Sequence, residues 1–559
     1  MRSRLVLDTS IRTFTHNTAT PSFSAGRPQL PFLSIPSSRQ RFQRQQWRYL
    51  TTERKAWIRR EVGLAVKWTA YLWALAFCVL GAGYAIQQEF LERRFPTPHE
   101  WSFITRMLKR GAEAEKAKTN IVVADWVRIV QMLRDALARL EDPAGDGRGL
   151  TDLSGRPGTP PGSKDISAMP EAWRRGYYEA LMLYCQASER VDGWVLDKTR
   201  GIAFPPDVVR GPSNPFPKPI PPGATSAPRE EDCVPAGFPV PDEVYLKLIA
   251  TEGLTTRQRI DAVLSYANWL EYKGAVGPAA VMYEDAVQMA AEEIHTPGAP
   301  PLLDTDTAVL SAKPARQPSA NLLAALTALA TFKARTGPAP DALPILTSLL
   351  QARRSLPATA TTSPVPEGDT TFLDHRGPIQ RTLDIFRPPA YPPPPPDGSA
   401  PPTRDSRELC EEAALHLHIG EIMYTLQAST REDGLAWTRE GVDLAEEELH
   451  RVLSQGAATG DAAARKTCRE CLASGLGNWA TMVRRMASME EEAARASGTK
   501  STAGWFGLWS VSKASQEEQE GGRWAAEEKV VSERTRRAQD ILEDLEKPRA
   551  GLMSGLVKA

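Results

Sequence analysis

Few residues in this 559-residue chain are of a type, and at a spacing, that could do chemistry. Cys468 and Cys471 form a C-x-x-C, the spacing of a zinc half-site or a redox pair. No second pair completes a zinc site, and no thioredoxin-like strand–helix–strand pattern surrounds it. The two cysteines therefore read as one face of a helix. His416 and His418 lie two apart, and residues two apart on a helix face different ways, so they make a poor metal pair. Glu446, Glu447 and Glu448 read as a solvated helix face. There is no P-loop, G-x-G-x-x-G, H-E-x-x-H or G-x-S-x-G. The expectation is a protein that is not an enzyme and takes no metal or cofactor. Its 68 basic and 68 acidic side chains cancel, which argues against a nucleic-acid partner.

With no catalytic group to position, the elements themselves carry the reading. Residues 68–86 contain no charged side chain, and extension back to Val62 adds only Lys67. A helix needs about 20 mostly apolar residues to cross a bilayer core. Trp68, Tyr71 and Trp73 near one end and Tyr84 near the other suit interfacial belts. Residues 62–86 are expected to span a membrane. Before them, residues 1–50 are rich in Arg and Ser with few acids, the composition of a mitochondrial presequence. Residues 51–61 form a basic flank, with Arg54, Lys55, Arg59 and Arg60. Positive charge stays on the side that does not translocate. The N-terminus is therefore expected in the matrix and the larger C-terminal part in the intermembrane space.

The soluble part reads as all-α: a divergent tetratricopeptide-like solenoid with long Pro-rich insertions. Residues 87–196 carry membrane-proximal helices and a first hairpin, with helices expected from Trp101, over 124–141 and from Pro170. A Pro-rich segment over 197–241 is expected to lack regular structure. Repeat-like hairpins then cover 242–356. Tetratricopeptide repeats set small residues where the two helices of a hairpin touch. Ala267, Leu270, turn Gly274, Ala279, Tyr283 and Ala286 fit that pattern well. Leu329, Ala330, turn Gly337, Ala342 and Leu346 give a second match. A Pro-rich loop over 357–404 separates these from hairpins over 405–547, where Gly420 and Gly477 take the small-residue places. Residues 548–559 are a tail. The small residues lie much further apart than the usual ~34-residue period, so loops are inserted between hairpins. Leu264, Asn268 and Glu271 are the candidate partner-binding groove. Pro392 to Pro396 read as a solvated spacer, with a polyproline II ligand for a partner as the sharper alternative. The patch Trp505, Phe506 and Trp509 reads as a cap on the helical array.

Three stretches carry a family resemblance: Glu92-Arg93-Arg94-Phe95-Pro96-Thr97-Pro98-His99-Glu100-Trp101, Ala172-Trp173-Arg174-Arg175-Gly176-Tyr177-Tyr178-Glu179-Ala180-Leu181, and Thr255-Thr256-Arg257-Gln258-Arg259. Together with the presequence, the apolar helix and the hairpins, they resemble the fungal tetratricopeptide-repeat adaptors of the mitochondrial i-AAA protease. The resemblance covers roughly residues 60–547. It implies an inner-membrane protein that binds unfolded or membrane-bound substrates and delivers them to the protease complex, a role in protein quality control. It brings no catalytic residues. The alternatives are an outer-membrane import receptor or a general mitochondrial scaffold. An import receptor needs a cationic clamp on its groove, yet the corresponding positions are Leu264, Asn268, Ala328, Ala414 and His418, and only Asn268 fits.

Overall fold

The computed structural model describes residues 52–120, 124–220, 226–294, 301–311, 316–357, 391–454, 462–498 and 522–546. The expected presequence, the tail and the Trp505–Trp509 patch lie outside the described residues. The chain divides into two compact units, residues 1–83 and 84–559.

The first unit holds most of helix α1 (Thr52–Arg94), which is 43 residues long. This is the one described helix long and apolar enough to cross a bilayer, and nothing in the structure buries its apolar stretch. Leu80 is 69% exposed and Phe77 67%, where aliphatic and aromatic side chains of a water-soluble domain would be covered.

The second unit is built mainly of helices: α2 (Phe103–Lys116), α3 (Trp126–Leu140), α4 (Glu171–Arg190), α5 (Pro241–Ile249), α6 (Thr256–Tyr272), α7 (Val276–Ile294), α8 (Ala320–Thr336), α9 (Ala339–Arg354), α10 (Ser406–Leu426), α11 (Arg431–Ser454), α12 (Ala462–Gly498) and α13 (Arg523–Glu546). Each packs on the next in the chain from α2 to α13, and α10 packs on α12 as well. The wholly helical expectation is corrected in two places. Strands β1 (Thr151–Asp152) and β2 (Lys164–Asp165) pair antiparallel. Strands β3 (Val195–Asp197), β4 (Ile202–Phe204) and β5 (Cys233–Pro235) form a sheet of order β4-β3-β5. Part of the segment expected to be irregular is therefore ordered by backbone pairing. Strands of two or three residues are too short to show an alternating pattern in sequence.

Local chemistry explains the sharpest hairpin. Thr255 and Gln258 form a reciprocal capping box at the start of α6. At its end Gly274 adopts φ +77°, with Gly274 N–H bonded to Glu271 C=O and Ala275 N–H to Leu270 C=O. This is a Schellman cap, which favours glycine because its left-handed residue carries no Cβ penalty. Ala267, Ala279, Tyr283 and Ala286 are all buried between α6 and its neighbours. In the next pair, Leu329, Ala330, Ala342 and Leu346 are buried, and Gly337 caps α8 in an extended conformation.

Two large apolar cores result. The first runs from Trp101 through α4–α9 to Leu415, Ile419 and Ile422 of α10. The second joins Cys410, Leu417 and Tyr424 of the same helix to α11, α12 and α13. Gly420 and Gly434 meet backbone to backbone: a Cβ on Gly420 would sit 2.7 Å from the Gly434 oxygen. The close approach expected at Gly477 falls at Gly475 instead. A Cβ on Gly477 would touch nothing within 4 Å, whereas one on Gly475 would lie 2.7 Å from Val442 Cγ2. The sequence reading of Cys468 and Cys471 as one helix face gave neither a partner. Cys468 is bonded to Cys410, tying α12 to α10, and Cys471 stays free and buried.

Candidate functional site

The site is assembled from the end of α1 upward. Glu92 is 3% exposed, and its carboxylate accepts from the Thr97 hydroxyl and amide. It also pairs with Arg106 at 2.9 Å and with Arg110 of α2. A buried carboxylate is tolerated only when charge and hydrogen bonds surround it in this way. The chain then turns through Pro96 and Pro98 onto α4. There a Cβ on Gly176 would lie 2.5 Å from Pro98 Cγ and 2.7 Å from Trp101 Cζ2. Glycine is thus required for the 92–101 stretch to seat against the 172–181 stretch. Trp173 and Tyr177 stack at 5.3 Å beneath this contact, and the Tyr177 hydroxyl donates to Glu141. Burial pushes the Tyr177 phenol well above its ordinary range, with Glu141 adding to the effect.

On the outer side of α4 lies a cleft of about 790 Å³. Its lining brings together Arg94 and Pro96 of the first stretch, Arg175 and Tyr178 of the second, and Thr255 and Arg257 of the third. The three stretches singled out in sequence thus meet at one place. Charges around it are paired: Lys109 with Glu179 at 2.8 Å, and Arg257 with Asp261 at 3.1 Å.

The remaining wall is residues 391–397, which the sequence reading left as a spacer. The expectation of a free spacer is corrected. Arg175 donates from Nη1 to the Pro393 carbonyl at 2.8 Å and from Nη2 to the Pro392 carbonyl at 2.5 Å. Its guanidinium also lies 4.3 Å from the centroid of the Tyr391 ring, a cation–π contact. The proline rings remain exposed, so the run is wet on one side and held on the other. A second anchor follows at the start of α8. Asn321 N–H donates to Gly398 C=O at 3.1 Å, and Asn321 Nδ2 donates to Asp397 C=O at 2.9 Å. Gly398 has φ +77°, and a Cβ there would strike Asn321.

The groove residues read from sequence do not line this cleft and are engaged within the chain. The Tyr283 hydroxyl donates to Asn268 Oδ1 at 2.6 Å and to Glu271 at 3.1 Å. Arg335 donates to both Glu271 oxygens, at 2.8 and 3.0 Å, and holds that carboxyl below its usual range. Leu264 is half-buried against the first core. No cluster of three or more metal-ligating side chains occurs among the described residues. What the cleft offers is recognition: backbone carbonyls met by a planar cation, with an aromatic ring stacked on it. Comparison with known protein families, curated proteins and solved structures finds no match for this chain.

Proposed function

We propose that the chain is a membrane-anchored adaptor. Its helical part binds unfolded or membrane-bound proteins and recruits them to the mitochondrial inner-membrane i-AAA protease. The helix pairs α6/α7, α8/α9, α10/α11 and α12/α13 are read as divergent tetratricopeptide hairpins, supported by the Gly274 cap and the buried alanines. The observation that carries the reading is the meeting of the 92–101, 172–181 and 255–259 stretches at one cleft. Surfaces assembled from distant segments of a rigid helical scaffold are a common form of protein-binding site. The exposed apolar helix supports the anchor, and the basic flank supports its orientation.

Protease added to mitoplasts is expected to digest the helical part, and intact mitochondria to protect it. Protection in mitoplasts would reverse the orientation, and digestion in intact mitochondria would favour the import-receptor reading. Purification of the full chain from mild detergent is expected to recover an AAA protease. Recovery of none would reduce the protein to a scaffold.

A further inference from the structure

Arg175 is only 6% exposed, and the hydrogen bonds of its guanidinium go to a proline run 217 residues away. Nothing in α4 requires this. Among the described residues the carboxylate within ion-pair distance is Glu171, 3.7 Å from Nε and beyond hydrogen-bonding distance. Residues 391–393 are part of what covers Arg175, and their carbonyls take the place of the water its fork would otherwise meet. The fork is therefore matched to an occupant that supplies carbonyl oxygens. The contacts also say what kind of occupant. Two successive backbone carbonyls fill the planar fork, which suits guanidinium and not ammonium geometry. A ring one residue upstream stacks on its face. Prolines offer no N–H, so the run cannot be tied down by sheet-like pairing and touches the body through carbonyls and the ring alone. Proline also fixes φ near −65°, so the carbonyls are presented with little ordering entropy. Beside this contact lies the cleft of about 790 Å³, walled by the run together with α2, α4 and α6.

We propose that the Arg175 cleft binds an extended, proline-rich peptide segment led by an aromatic residue, and that residues 391–396 are the chain's own competing ligand. The inference rests on the adaptor reading and names its substrate class: chain in extended form, read through its carbonyls and one ring. Recognition of this kind tolerates many sequences, because every residue has a carbonyl. The internal segment then sets a threshold that an incoming segment must exceed. Its second anchor, the Asn321–Asp397 bond, does not involve Arg175, so release at Arg175 leaves the segment tethered and able to return.

The test uses the detergent-solubilised full chain and a labelled synthetic peptide with the sequence of residues 391–398. In the competitor-weakened variant Tyr391→Ser is combined with glycine at Pro392 to Pro396, keeping the length and the Asn321 anchor. This variant is expected to bind the peptide at least tenfold more tightly than the wild type. Adding Arg175→Gln is expected to abolish the gain, and Arg175→Lys to keep a minor part of it. Equal binding by wild type and variant, or a gain that survives Arg175→Gln, would overturn the inference. If the multiple variant does not fold, Tyr391→Ala alone decides, since it deletes only the ring. A folded Tyr391→Ala chain with no gain in peptide affinity would show that the segment is a fixed strut. Peptide binding without recovery of a protease would leave the cleft standing and sink the adaptor reading; the reverse result would sink only the cleft.

Discussion

The two apolar cores solve one problem, bringing helices close, in different ways. In the first, α6 and α7 meet over Ala267, Ala279 and Ala286, and the surrounding volume is filled by rings, with Tyr283 and Phe332 4.7 Å apart. In the second, α10 crosses α11 over Gly420 and Gly434, and Gly475 of α12 seats against Val442. Glycine permits the closer approach but costs roughly 1 kcal/mol per residue in a helix interior relative to alanine. The second core carries a covalent link, Cys410–Cys468, which the first lacks. It also has a polar knot: Trp479 Nε1–H and Arg439 both donate to Glu527. Alanine crossings with large rings stand by themselves, whereas glycine crossings are accompanied by a staple. Helix α10 is the common wall, with Ile419 facing one core and Leu417 the other.

The strongest way to break this contrast is to remove the staple. The bond closes a loop of 58 residues, and the chain-entropy relation gives about 4 kcal/mol for such a loop. Cys468→Ser is expected to lower the melting temperature of the C-terminal helices and to make them insensitive to reductant. Hydrogen exchange resolved by peptide would show α11–α13 opening while α6–α8 stay protected. Uniform opening would mean that the cores do not differ in the way described.

Overpacking the first core comes next. Ala279→Trp inserts a ring where the small residue is fully covered, at a cost on the order of 1–3 kcal/mol or more. Thermal unfolding of the helices in residues 84–559 should shift down. A variant that melts like the wild type would show that the α6/α7 contact is loose.

A smaller pair of changes tests the glycine positions directly. Gly475→Ala pushes into Val442 and should destabilise, by roughly 1 kcal/mol or more. Gly477→Ala, two residues on, meets open space and should stabilise by about 0.5–1 kcal/mol through helix propensity. Equal effects on denaturant midpoints would remove any special role for the Gly475 crossing.

The smallest effect expected is on pH. His416 and His418 both sit on α10, and burial pushes both imidazoles below their ordinary value; for His416, Arg354 adds to this while Glu440 and Glu412 oppose it. Their neutral forms are favoured in the folded chain. The stability they contribute is present above the ordinary histidine pKa of about 6.5 and is lost as pH falls through the lower folded values. A urea midpoint that drops between pH 7.5 and 5.5 is expected, with both cores affected because α10 serves both. A midpoint unmoved or raised over that range would count against it.

Periodicity and local chemistry made much of this fold legible. The uncharged run over 68–86 is a helix, the α6/α7 pair was evident from its alanines and Gly274, and α10 to α13 all fall within the 405–547 stretch expected to be helical. What stayed hidden was tertiary. Gly475 and Gly477 differ by roughly 200° around a helix, and only the neighbour decides which one is pressed. Cys468 pairs with a residue 58 positions away, a choice no local spacing encodes. The cleft was half legible: its three stretches stood out, but Pro392 and Pro393 were invisible as partners of Arg175. A proline run looks the same whether it is free in water or held by a guanidinium.

That last contact also has a consequence in time. The Arg175–Pro392 hydrogen bond closes a very long loop of chain, and such contacts form late because loop entropy must be overcome before they gain anything. Helices α4, α6 and α8, which supply the floor and the second anchor, must be in place first. Loop entropy thus favours an order in which the helical body is built before residues 391–396 close on it. If the cleft takes extended peptides as proposed, a chain caught before residues 391–396 settle on Arg175 would be its most receptive form.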